Sequence, residues 1–178
     1  MPELTNLEAV TCIQHMQQYV NILRAERYEI KEIITDRAAS FNLFEGNFPG
    51  IRAEKGGEGH HVPRADERCR MIKNMFVSLQ ASLAFVIPDK LIYHAVKYVA
   101  MRLNMQRGRS MNAPPRVETT GYKPSYEKEY NISFGKYCEV LDNTVTSKDV
   151  KPHSKSCIAL WPLGNRQGGW FFWNLATA

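Results

Sequence analysis

The sequence predicts an α/β fold followed by a linker and a small β appendage. Three observations carry this. A helix-periodic segment leads directly into a strand-like run ending on Asp36. Two more helix-periodic segments follow one another over 64–104. The last third turns to short aromatic and β-branched runs divided by turn residues. At 178 residues the chain is the size of one domain, or of one domain with an appendage.

The elements follow in order. Residues 4–27 carry Leu7, Val10, Ile13, Val20 and Leu23 near helical period, with Thr5 or Asn6 as candidate caps. Tyr28 to Thr35 then reads as a strand, and residues 37–44 as a short helix carrying Phe41 and Phe44. Residues 45–63 are Gly-rich, with a short strand at Ile51-Arg52-Ala53 and a mobile loop over Glu54 to Gly59.

The clearest helix is 64–84. Ala65, Cys69, Ile72, Phe76, Leu79 and Leu83 make one apolar stripe at 4-3-4-3-4 spacing, and Pro63 sits where a helix start tolerates proline. A second helix begins at Pro88 and turns Leu91, Ile92, Ala95, Val96, Val99 and Leu103 inward, which predicts a helical hairpin. Residues 105–127, holding Pro114, Pro115, Gly121 and Pro124, read as loop. Strands are expected at 132–134, 137–140, 156–160 and 169–175, with a turn over Pro162 to Gly168. Trp170 and Phe172 then share one side of the last strand, Phe171 and Trp173 the other. This aromatic cluster fits a packed β core or a base-stacking surface.

Composition excludes several classes. With 44% hydrophobic and 23% charged residues the chain is unlike a disordered one. No apolar run approaches the roughly 18 to 20 residues of a membrane span. Cys12, Cys69, Cys138 and Cys157 form no CxxC pair, and four scattered thiols fit a reducing, intracellular compartment.

The net charge of +5 is unevenly spread. Residues 1–63 carry six basic and nine acidic side chains, residues 64–109 nine and three, and residues 110–178 eight and six. The middle segment, at +6, is the candidate surface for an anionic partner.

Asp36 at a strand end and Glu67 in the first turn of the strongest helix are the candidate metal carboxylates. Hard Mg²⁺ or Mn²⁺ ions take oxygen ligands, and two of them can clamp a phosphodiester transfer. Both acids also fit plainer roles, Glu67 as a helix N-terminal acid and Asp36 as a strand-end cap. His60 and His61 lack a second His or Cys pair, so they read as loop histidines facing solvent or phosphate.

Three stretches together resemble the catalytic core of a copia-type retroelement integrase: Ile33-Ile34-Thr35-Asp36; Gly59-His60-His61-Val62-Pro63-Arg64-Ala65-Asp66-Glu67-Arg68; and Arg70-Met71-Ile72-Lys73. Tyr98 to Asn104, Pro115-Arg116-Val117, Thr120-Gly121-Tyr122-Lys123-Pro124 and Ile132 to Gly135 are similar to its later helix and linker. Ile158 to Gly168 is similar to the small β segment that follows.

The resemblance implies an RNase H-like fold, here incomplete: a partial core over 1–106, a linker over 107–130 and a β module over 131–178. It implies that Asp36 and Glu67 are the second and third members of an acidic triad, holding Mg²⁺ or Mn²⁺. It implies DNA as partner, with His60, His61, Arg64, Arg68, Arg70 and Lys73 facing it. A homo-oligomer and a nuclear location, for a eukaryotic element, go with that reading. The family's first Asp and the zinc module before it have no counterpart here, so strand transfer is expected to be impaired. The alternative is a non-catalytic nucleic-acid-binding or assembly fragment of a retroelement polyprotein.

Overall fold

The computed structural model describes residues 6–35, 46–55, 63–108, 111–142, 153–165 and 167–177. It mixes helix and strand as expected, and it divides into two compact units, Met1–Arg70 and Met71–Ala178.

In the first unit, α1 (Asn6–Ala25) precedes β1 (Glu32–Thr35) and β2 (Arg52–Lys55). The two strands pair in parallel, Glu32 opposite Arg52 through Thr35 opposite Lys55. Val20 of α1 and Phe48 are buried, and Ile13, Met16, Ile30, Ile33 and Ile51 pack around them. Strand alternation sends Ile33 into this core and leaves Ile34 half exposed.

β1 is shorter than the expected run over 28–35. The residues before it are engaged elsewhere. The Tyr28 amide donates to Leu23 O and the Arg27 amide to Arg24 O, both at 2.9 Å. This is a Schellman closure of α1, with Arg27 at φ 65° in the place glycine usually takes. β2 runs on through Glu54 and Lys55, in place of the expected loop. The expected helix over 37–44 and the rest of that loop lie outside the described residues.

The helix α2 (Pro63–Ser82) carries the chain into the second unit. There α3 (Asp89–Asn104), α4 (Pro115–Thr120), a single π turn (Tyr126–Tyr130), β3 (Tyr137–Leu141), β4 (Ser154–Pro162) and β5 (Trp170–Asn174) follow, with a 3₁₀ turn at Leu175–Thr177. The strands form an antiparallel sheet in the order β3-β4-β5.

One core joins these elements. Ile87, Leu91, Ala95, Tyr98, Val99, Phe134, Leu160 and Trp161 are buried together. Ile72, Met75, Phe76, Leu79 and Leu83 pack against them, so the α2 stripe packs from Ile72 onward, whereas Ala65 and Cys69, expected in it, are exposed. A register shift between Ala159 and Trp161 of β4 lets Leu160 and Trp161, neighbours in sequence, both reach that core.

Three expectations change. On α3, Ile92 and Val96 are exposed and Tyr98 is buried in their place, because the inward stripe is centred on Leu91, Ala95 and Val99. Residues 132–134 are not a strand. The chain turns there at Gly135, whose φ of +81° favours glycine and whose Cα lies so close under Leu83 that a Cβ would sit 2.7 Å from Leu83 Cδ2 and push that side chain aside. The segment 105–127 contains α4, started by Pro114 and Pro115 and closed by Gly121 at φ 66°.

Candidate nucleic-acid interface

Of the expected site residues, Asp36, His60 and His61 lie outside the described residues, and Arg64 is described only in its helical backbone. Glu67, Arg68 and Arg70 stand exposed in the early turns of α2, and Lys73 is exposed one turn further on. Glu67, Arg70 and Lys73 follow one another at i, i+3, i+6, so they form a ridge inclined along the helix. That ridge lies away from the Ile72–Phe76–Leu79 stripe, as the packing of the stripe demands. None of Arg68, Arg70 and Lys73 makes an ion pair with another described residue. Their charge therefore faces water.

Among the described residues no three His, Cys, Asp or Glu side chains gather. Glu67 alone is not the donor set that a hard divalent cation takes.

The first unit also holds an open cleft of about 250 Å³ between α1 and the 47–49 turn, lined by Gln17, Asn21, Arg24 and Asn47 over Phe48. Arg24 Nη2 donates weakly to Pro49 O at its edge, at 3.5 Å.

The second unit carries a group that sequence reasoning missed. Lys90, Tyr93, His94 and Lys97 recur at i, i+3, i+4, i+7, so they line one flank of α3. Below them lie Trp161 of β4 and Phe171 and Trp173 of β5. His94 stacks on Trp161 with ring centres 4.7 Å apart, and Trp161 meets Phe171 at 4.6 Å. Lys97 Nζ sits 4.6 Å from the Trp161 ring centre, and Lys90 Nζ 5.2 Å from that of Trp173.

Burial, and then the nearby Lys97 charge, hold the His94 imidazole below its usual pKa. Its Nδ1 is buried with no partner among the described residues. The spacing of the two lysines is visible in the sequence. The partners beneath them are not, since they come from strands more than sixty residues away.

The segment between α3 and the sheet is firmly tied. Arg102 donates to the Tyr98 hydroxyl and to Ile132 O, and its guanidinium lies 4.5 Å from the Tyr130 ring centre. The Trp170 indole N–H donates to Lys128 O at 2.9 Å. The aromatic tail is thus mostly structural: Trp161 is 6% exposed, whereas Phe171, at 44%, is not spent on the core.

No protein-family model and no curated protein sequence matches the chain.

Proposed function

We propose that the chain is a DNA-binding piece of a copia-type retroelement integrase, built on part of an RNase H-like fold. The supporting observation is the exposed positive charge of α2, where Arg70 and Lys73 share a ridge with Glu67 and Arg68 stands beside it, none of the three cations with an ion pair to any described residue. Arg guanidinium groups match phosphate oxygens in two-pronged fashion, and the lysine adds a point charge. Binding of this kind is driven by the phosphate backbone and the release of its counterions.

The parallel β1–β2 pair beside α1 and the helices that follow agree with the expected order of helix, strand and helical pair. In this reading Asp36 and Glu67 are the remaining carboxylates of the triad, and the isolated chain performs little or no strand transfer. The second reading is a non-catalytic binding or assembly fragment.

The test is filter binding of duplex DNA across a salt series. Replacing Arg68, Arg70 and Lys73 together by Gln is expected to flatten the log–log salt slope by about 2.7, at roughly 0.9 for each phosphate no longer neutralised. Absence of retention at low salt would sink the proposal. Glu67→Gln separates its two forms: retained binding without any metal requirement favours the non-catalytic one, and Mg²⁺-dependent strand transfer abolished by this change favours the enzyme.

A further inference from the structure

We propose that the flank of α3 carrying Lys90, Tyr93 and Lys97, together with Phe171 and Trp173 of β5, binds single-stranded nucleic acid. This goes beyond the α2 reading. It concerns another surface, within the second unit alone, and another form of the ligand.

Two kinds of group alternate here. Tyr93 is 67% and Phe171 44% exposed, so both offer ring surface to solvent. Lys90 and Lys97 are held over Trp173 and Trp161, which fixes their ammonium groups beside those rings. Asp89 is the only carboxylate of α3 and β5 has none, and neither lysine makes an ion pair with a described residue. The strip is therefore aromatic and positive at once.

A purely apolar protein segment laid on it would strip water from two ammonium groups and give nothing back. An acidic peptide would answer the charge and leave the rings uncovered. A single strand supplies both a planar base and a phosphate at every nucleotide, and its bases have free faces. Duplex DNA keeps its base faces stacked on each other, so it answers only the lysines.

Bases would lie on Phe171 and Tyr93, with phosphates drawn to Lys90 and Lys97. Trp161 is already covered by His94 and Phe171, so it supports the platform from below.

The experiment is a tryptophan-fluorescence titration of the full chain with oligothymidylate about twelve nucleotides long, within the usual site size of such platforms. Saturable quenching is expected. Tyr93→Ala with Phe171→Ala should weaken binding about tenfold or more, with circular dichroism unchanged. Lys90→Gln with Lys97→Gln should flatten the salt slope by about 1.4, at roughly 0.7 for each phosphate on a single strand. These two lysine changes lie on the surface, so they still decide the matter if Phe171→Ala unfolds the chain.

Absence of quenching overturns the proposal. So does unchanged affinity in the aromatic variant, or in the lysine variant where the former is unfolded. A dimer that dissolves in Tyr93→Ala, with no response to oligothymidylate, assigns the strip to a second copy of the chain and overturns it too. Changing Arg68 and Arg70 should leave the oligothymidylate titration intact, so failure of the duplex reading and failure of this one are separable.

Discussion

Arg116 Nη1 meets Glu129 Oε1 at 2.6 Å, and Glu129 is fully buried. The second guanidinium nitrogen of Arg116 donates to Gly164 O, in the turn between β4 and β5. Glu129 Oε2 accepts the Ser125 amide at 3.1 Å, and the guanidinium lies 5.0 Å from the Tyr122 ring centre. One arginine thus ties α4, the π turn and the β4–β5 turn together. A buried pair stabilises little against an apolar substitute, but removing one partner leaves a charge without an answer. Glu129→Ala is therefore expected to lower stability by about 3 to 5 kcal/mol, read from urea denaturation. Arg116→Lys should also destabilise, because one ammonium cannot reach the carboxylate and the carbonyl in the same fork. An unchanged midpoint in both variants would mean that this tie does not form.

Arg27 closes α1 at φ 65°, a conformation that costs a side-chain-bearing residue energy and costs glycine almost none. The side chain is exposed, so little packing goes with it on removal. Arg27→Gly is expected to raise stability by about 0.5 to 1 kcal/mol, seen as a higher thermal midpoint. A lower midpoint would show that Arg27 makes an interaction worth more than its strain.

Much of this fold can be read along the chain, where the cause is local. The α2 stripe from Ile72 to Leu83 follows helical spacing and packs as spaced. The same holds for Leu91, Ala95 and Val99. What sequence spacing does not show is set by distant partners. Tyr98 is in step with Leu91 and Ala95, but the partner it packs on, Phe134 at 5.8 Å, comes from beyond the helix. The linker reads as loop because Pro and Gly dominate it. It is ordered by Arg116, whose partners Glu129 and Gly164 lie 13 and 48 residues on. For the candidate site, helix position alone marks Glu67, Arg70 and Lys73, whose exposure follows from the stripe they oppose; Arg68 lies in line with Ile72 and is exposed all the same. The α3–β5 strip depends on a sheet register that no spacing rule supplies.

The four thiols should differ sharply in reactivity. Cys12 and Cys69 are exposed, while Cys157 is buried and lies directly opposite Cys138 across β3 and β4. Burial first, and then Cys138, push the Cys157 thiol up in pKa, which lowers its thiolate fraction. Timed iodoacetamide labelling with peptide mapping should find Cys12 and Cys69 modified first and Cys157 last, by about tenfold or more. Equal rates for Cys157 and Cys12 would show that β4 opens readily in the native state.

His94 makes the stability of the second unit depend on pH. Its folded pKa is lowered by burial and by Lys97, so the unfolded chain binds the proton more tightly. Stability is then fully present above the unfolded value, about 6.5, and is lost as pH falls towards the folded value. Protonation would place a third cation between Lys90 and Lys97, over a Trp161 ring already covered by Lys97. His94→Phe keeps a ring on Trp161 and removes the titration. Urea midpoints measured between about pH 7.5 and pH 5 should fall in the parent chain and fall less in the variant. Parallel pH profiles for the two chains would assign the acid sensitivity to another group.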